Sequence, residues 1–478
     1  MKIVNLKIFI LVFLFVATNL FSGNERFSPR NTGMGRTFAA SSRGLDALGL
    51  NPANLVLADR NNNITFHFMP IGFDAGSDFL DFTLYRRHFT GTDTGTGSNK
   101  RIIPKTLTPE DKKDILTVFP SGISNTQMSI DVAWFGIASQ INEWGYGITV
   151  TEHINTNFDL TKGYLRLALD GLEEDGSDYD FSGTAVRASW LRMYNTSIAY
   201  RIPELFKNQP EIAIGLGVKY VQGFSYFGTQ NYDGYIRDVV YKNPTDKTKI
   251  DSLKILAKVD FLQYKSAYSD LNQLQNNLTK PLGSGFGFDF GINVKINPKL
   301  RLGFSAINIG SINWTKNAQI LTGKGELEIS DLIRHGSDLR NAFKGETIDT
   351  TSFTTKLPSQ LHFGVEFDAD AFKFMRDKFW GEDLKFAADV HLGFNNEPGN
   401  STFPRISFGL DYRPKYYIPI PIRMGMSFGG REGFAYSFGT GVSMEQWDLD
   451  FSTETLVALL SPKATRAVNF TIGYRVRL

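Results

Sequence analysis

Gly425-Met426-Ser427-Phe428-Gly429 fits the G-x-S-x-G pattern of an acyl-transfer nucleophile. That chemistry needs the serine on a strand–turn–helix elbow, with a histidine and an acid close in space. Here the motif lies inside a run that alternates through Ile418, Ile420, Ile422, Met424, Met426 and Phe428. Ser427 shares the polar side of that run with Arg423 and Gly425, so the motif reads as strand. The histidines, His67, His88, His153, His335, His362 and His391, are scattered, and none forms HExxH or a close pair. His153 shares parity with Thr149 and Thr151, which would place it on a polar inner face. Residues 170–180 carry Asp170, Glu173, Glu174, Asp175, Asp178 and Asp180, a carboxylate set suited to Ca²⁺. They lack the EF-hand spacing and read as a solvated loop. No catalytic residue, metal site or cofactor is assigned.

A different kind of chemistry sits in residues 24–60, rich in Gly, Ala, Ser and Asn and read as short helices. Arg36, Arg43 and Asp46 lie there. Arginines in a polar lumen can hold a ligand carboxylate. They can equally pair with acids of a surrounding wall, such as Asp289, and fix the segment in place. The second reading is preferred. Asn51 is placed to cap a turn that Pro52 begins.

The elements that must hold these residues are strands. Ile212, Ile214, Leu216, Val218 and Tyr220 alternate with Ala213, Gly215, Gly217 and Lys219. Phe286, Phe288, Phe290, Ile292, Val294 and Ile296 alternate with Gly287, Asp289, Gly291, Asn293 and Lys295. Residues 144–151 and 384–392 repeat the rhythm. The sequence carries 40 Phe, 18 Tyr and 45 Gly, a mixture suited to strands with rings outside and small residues inside. At the end, Val468, Phe470, Ile472, Tyr474, Val476 and Leu478 alternate strictly with Asn469, Thr471, Gly473, Arg475 and Arg477. A bare amphipathic edge recruits other chains, whereas a closed barrel leaves no edge. The polar face, with Arg475 and Arg477, is expected to point into a lumen.

Residues 8–17 form the apolar run IFILVFLFVA after Lys2 and Lys7. That is too short for a spanning helix and fits a secretory signal, expected over 1–22. The chain contains no cysteine, which excludes disulfides and thiolate zinc. Its 51 basic and 49 acidic residues give no nucleic-acid signature.

A soluble sandwich also alternates. The connections decide against it. Tight turns fall near 140–142, 297–299 and 444–446, and long polar segments near 91–125, 156–182, 229–283 and 315–356. Short and long connections taking turns is the outer-membrane barrel rule. The expected fold is an all-β transmembrane antiparallel barrel of about fourteen strands. The first is placed near 78–90, and the extra candidate 64–71 goes to the lumen or a link. Helices are expected from Thr108-Pro109, over 162–172 and over 326–335. The division is a signal (1–22), an N-terminal hatch (23–60) and the barrel with long outer loops (61–478).

Gly33-Met34-Gly35-Arg36, Asp46 and Asn51-Pro52-Ala53-Asn54-Leu55, together with the barrel rhythm, resemble the FadL-like superfamily of outer-membrane proteins. Within it the chain is similar to DUF5723-type barrels and, more distantly, to the PorV group. The resemblance implies a hatch inside a fourteen-stranded barrel, built on Gly33, Gly35, Arg36, Arg43, Asp46, Asn51, Pro52 and Asn54. Asn54 stands where the transporter motif has glycine. Asparagine tolerates a left-handed backbone, which would preserve a turn there.

The expected function is non-enzymatic passage of small hydrophobic molecules through a hatch-gated lumen in the bacterial outer membrane. The alternative is a docking platform for secreted or surface proteins, as the PorV resemblance implies. Expected partners are outer-membrane lipids and lipopolysaccharide, the barrel-assembly machinery, and either a small hydrophobic ligand or a secreted protein.

Overall fold

The computed structural model describes residues 22–23, 28–57, 64–94, 101–103, 105–120, 122–171, 178–203, 210–242, 250–270, 272–273, 277–329, 344–371, 384–414, 419–430, 433–456 and 466–478. The expected signal over 1–22 lies almost wholly outside them. No described helix is long and apolar enough to cross a membrane.

The membrane is crossed by strands instead. Fourteen antiparallel strands close a barrel. In chain order they are β1 (Ile64–Ser77), β2 (Ile123–Ile141), β3 (Trp144–Thr161), β4 (Ala185–Ile202), β5 (Glu211–Lys242), β6 (Gly283–Asn297) and β7 (Leu300–Trp314). They continue as β8 (Gln360–Asp368), β9 (Leu384–Gly393), β10 (Arg405–Tyr412), β11 (Ile422–Gly429), β12 (Phe434–Ser443), β13 (Trp447–Thr453) and β14 (Ala467–Arg477). Each pairs with its sequence neighbour, and β14 pairs with β1 from Thr65 opposite Arg477 to Gly76 opposite Ala467. The Leu478 amide donates to the Ile64 carbonyl at 3.0 Å and completes the seam. Both chain ends of the barrel thus lie beside the short turns, such as Asn142-Glu143 and Pro298-Lys299. By the outer-membrane rule that end faces the periplasm.

The first strand corrects the expected count. Residues 64–71 are not a lumenal link; they open β1. The segment expected as the first strand is helical instead, over Phe82–Leu84 and Tyr85–Phe89. A bulge hides β1 from a period-two reading. Thr65 and His67 face inward before it, whereas Gly72 and Asp74 face inward after it. The register breaks between Phe68 and Ile71, where Met69 has φ +48° and Pro70 has no amide to donate. One inserted residue reverses the parity of everything downstream.

Two outer segments expected as loops are sheet. β5 is 32 residues long, and its outer half pairs with Ile250–Ser266. That strand pairs with Ala318–Ile329, which pairs in turn with Glu346–Asp349. Residues 326–329 are therefore strand rather than helix, and 330–335 lie outside the described residues. The other two expected helices form. Pro109–Val118 carries a reciprocal capping box between Thr108 and Asp111, and Lys162–Asp170 follows β3.

Outside, the wall is apolar. Leu216, Val218, Phe286, Phe288, Met424, Phe470 and Ile472 are all exposed, while their strand neighbours are buried or half-buried on the lumen side. This surface associates with membrane lipid.

Candidate functional site

Ser28–Leu57 fills the lumen, and all its residues but Arg43 are buried. Three short turns shape it: Pro29–Gly33 capped by Ser28, Gly44–Ala47, and Pro52–Val56 capped by Asn51. The Asn51 side chain accepts from the Ala53 amide at 3.1 Å, as its sequence position implied. Its Nδ2 donates to the Ala39 carbonyl at 2.6 Å and ties two parts of the hatch together.

The wall makes room with glycine. A Cβ on Gly425 would strike the Met34–Gly35 peptide, one on Gly303 the Ala39 carbonyl, and one on Gly215 the Pro52–Ala53 peptide. Within the hatch, Gly33 packs on Gly439, and Gly35 packs on strands β10 and β11. Gly35 and Arg36 both take left-handed backbone, at φ +68° and +63°. Such a conformation in arginine costs on the order of 1–3 kcal/mol. It aims the Arg36 guanidinium at Glu454, a buried pair.

Ion pairs fasten the hatch at four places. Arg36 and Arg405 share Glu454, with Arg405 at 2.7 Å. Arg43 pairs with Glu366 and also donates to the carbonyls of Ala40, Ser41 and Ser42 at 3.2, 2.9 and 2.9 Å. Asp46 takes Arg475 of β14 at 2.6 Å and the Ser28 hydroxyl at 2.9 Å. Arg30 meets Asp411 at 3.1 Å, and Arg423 bridges Asp411 (3.3 Å) to Asp450 (2.7 Å). A fifth tie is neutral on the hatch side. Asp389 accepts the Phe38 and Ala39 amides at 2.6 and 2.7 Å. Removing one partner of a buried pair costs about 3–5 kcal/mol, because the other charge is stranded.

The expected pairing thus forms with different acids. Asp289 does not reach the hatch; it holds Lys219 at 3.0 Å and the Asn308 amide at 2.9 Å. The role given to Asn54 also changes. Asn54 lies within the Pro52–Val56 turn and is not among the residues of positive φ. Its side chain serves as a connector. It donates to the Ala39 carbonyl at 3.1 Å and the Ser42 hydroxyl at 2.8 Å, and accepts from Asn293 of β6 at 2.8 Å. Glycine could make none of these bonds.

Arg30, Asp389, Arg405, Asp411 and Glu454 were missed in the sequence. Arg30 precedes the Gly33-Met34-Gly35-Arg36 run. Asp389, Arg405 and Asp411 carried a usable signal, since each shares parity with the inward side of its strand. His153 is lumenal as expected, bound to Asp131 at 2.6 Å and Thr151 at 3.0 Å. Ser427 lies mid-strand, opposite Ser407 and Ala435, not on an elbow. No group of three metal-ligating side chains occurs among the described residues. Residues 172–177 of the acidic loop lie outside them, and Asp178 pairs with Arg237.

Above the hatch lies an apolar cluster that includes Leu191, Val221, Tyr226, Trp314 and Phe353. The connection from β9 to β10 folds onto it, and the Tyr226 hydroxyl donates to Glu397 at 3.0 Å. Burial pushes the Glu397 carboxyl up to about 7. The cavity between them is about 10 Å³, room for roughly one water.

A closed barrel with an apolar outer wall and a plugged polar lumen defines an outer-membrane β-barrel. Residues 104–446 match the model of a family of unknown function, DUF5723, and the chain belongs to that family. Among solved structures it is similar to the toluene transporter TbuX of Ralstonia pickettii, at 13% identity and TM-score 0.46, over 95% of this chain and 99% of that one. It is also similar to the toluene transporter TodX of P. putida, at 10% identity and TM-score 0.43, with the same coverage. A Pseudomonas aeruginosa FadL homologue aligns at 11% identity and TM-score 0.44, over 96% of this chain and 99% of that one. No curated protein matches.

Proposed function

We propose that this barrel passes small hydrophobic molecules across the outer membrane, gated by the hatch. The observation that carries this reading is the hatch itself. A separate N-terminal segment fills the lumen, and it is held by side chains and glycine contacts rather than by joining the wall sheet. Such a plug can shift without unfolding the barrel. The apolar cluster around Tyr226, Trp314 and Phe353 is closed over by the connection holding Glu397, and would offer a hydrophobic molecule an apolar lining once that connection moves aside. Arg36, Arg43 and Asp46, with Gly33, Gly35, Asn51, Pro52 and Asn54, would form the moving part. The steps are capture at the outer loops, entry past the connection holding Glu397, and release as the hatch ion pairs rearrange. Uptake of fatty acids and small aromatic hydrocarbons in a deletion strain tests this. Unchanged uptake of both classes refutes it.

A second reading has its own support. The sheet built from outer β5, Ile250–Ser266, Ala318–Ile329 and Glu346–Asp349 extends past the wall. Such a platform suits docking of a secreted or surface protein. Crosslinking in intact cells discriminates, because docking yields a stoichiometric protein partner and passage of small molecules does not. On either reading, the assembly machinery would read the closing strand β14, and lipopolysaccharide would surround the outer half.

A further inference from the structure

The periplasmic end of the hatch borders a cavity of about 210 Å³ with unbalanced charge. Five cations line it, Arg43, Lys295, Lys299, Arg301 and Lys385, against Glu366 and Asp368. Four of the cations are matched. Arg43 holds Glu366, Lys295 reaches Glu211 at 3.3 Å, Lys299 reaches Asp370 at 2.8 Å, and Lys385 holds Asp368. Arg301 is not. Among the described residues it makes no ion pair, and its Nη1 is buried without a hydrogen-bond partner. Register places Arg301 of β7 directly opposite Glu366 of β8, yet the two do not pair. The Glu366 Oε2 is likewise buried and unpartnered. On its other side Arg301 faces Lys295.

Arg301 as a whole is half-buried, but a guanidinium nitrogen shut off from water without a partner is costly, and a guanidinium fork fits a carboxylate or phosphate with two parallel N–H bonds. We propose that this cavity binds a small oxyanion, a carboxylate or phosphate group, on Arg301, and that the anion loosens the Arg43–Glu366 clasp. An anion on Arg301 lies beside that pair, attracts Arg43 and repels Glu366. Arg43 keeps its three hatch carbonyls, so what yields is the link from hatch to wall. The second half of the proposal rests on the hatch acting as a gate; the first half does not.

The test uses the purified full-length barrel in zwitterionic detergent at fixed ionic strength. Calorimetry is run with sodium propionate and inorganic phosphate, and with propionamide as the uncharged match. Both anions are expected to bind and propionamide is not. Arg301→Gln is expected to weaken binding at least tenfold. Hydrogen exchange over residues 36–46 is expected to speed up with propionate in the natural sequence but not in R301Q. Heat-modifiability on gels checks folding. If R301Q does not fold, Lys299→Gln, on the turn, is expected to weaken binding at least threefold. Equal binding by the natural sequence and a folded variant overturns the site, as does a response to an acidic peptide but to neither small anion. Anion binding without faster exchange overturns the loosening. Failure of the natural sequence to bind either anion, with hydrophobic uptake dependent on the protein, refutes this site alone. Anion binding with uptake unchanged in the deletion strain supports the site and refutes the transport reading.

Discussion

Adding a single methyl group at two wall glycines should unseat the hatch while leaving the barrel closed. A Cβ on Gly303 would strike the Ala39 carbonyl and sit 2.5 Å from the Ala40 nitrogen. One on Gly425 would strike the Met34–Gly35 peptide and sit 2.8 Å from the Gly35 Cα. Ordinary carbon contacts lie at about 3.5–4.0 Å. The colliding atoms are backbone on both sides, so no side chain can rotate away. Overpacking of this kind costs about 1–3 kcal/mol per site. The sites lie on β7 and β11 and touch different hatch segments, so their effects should add to about 2–6 kcal/mol. At 1.4 kcal/mol per decade, that moves the seated-to-displaced ratio by roughly 30-fold to 10⁴-fold. Planar-bilayer conductance and limited proteolysis of residues 28–57 read the outcome. The double variant G303A/G425A is expected to conduct more and to expose the hatch. Gly122→Ala, where a Cβ meets nothing within 4 Å, is the control. A folded double variant with natural conductance and a protected hatch would refute the argument.

Three further predictions follow from the same geometry. Phe288 is 54% exposed on the lipid face and Asp289 is 2% exposed in the lumen. Phe288→Arg should therefore cost about 2–4 kcal/mol and impair assembly, read by the heat-modifiable fraction; Asp289→Ala should assemble but lower the denaturation midpoint, because it leaves the buried Lys219 with only the neutral Asn308 oxygen. Glu454→Gln removes the carboxylate that Arg36 and Arg405 share, should weaken hatch seating by about 3–5 kcal/mol, and should speed hydrogen exchange in residues 30–40. The folded-state value of Glu397, about 7, exceeds its ordinary 4.5, so the folded state binds the extra proton between them. The seating of its loop is then strongest below about pH 4.5 and is lost as pH rises through 7, by roughly 3 kcal/mol. Glu397→Gln should abolish that slope in exchange measurements on residues 394–404, and an unchanged slope would assign it to another group.

The barrel was legible because its signal repeats. Each wall strand sends apolar residues one way and small or polar residues the other, and Phe286 to Ile296 shows the rule most plainly. It failed at Met69-Pro70, where the bulge exchanges the two faces mid-strand. It failed again above the membrane, where β5 continues into a sheet that lipid no longer patterns. The hatch was legible as a segment through its Gly and Asn content. Its fastenings were only half legible. Arg36 and Arg43 are conspicuous in sequence, but Glu454 and Glu366 lie 418 and 323 residues away. Only closure of the ring brings them near. Asn54 was misjudged because backbone tolerance was considered and side-chain hydrogen bonding was not.

The seam between β14 and β1 has a consequence for how the molecule comes into being. It joins Arg477 to Thr65 across nearly the whole chain, so the ring is the last thing that can form. The same closing strand holds the hatch through Arg475 and Asp46. The plug is tied to strands on several sides of the ring, through Glu366, Asp411, Glu454 and Arg475, so it has no open side by which to enter a finished ring. The N-terminal segment must be in place, or held within the open sheet, before the final strand arrives. The first-made part of the protein therefore waits for the last-made part. Closing the cylinder therefore engages both ends of the barrel sequence at once.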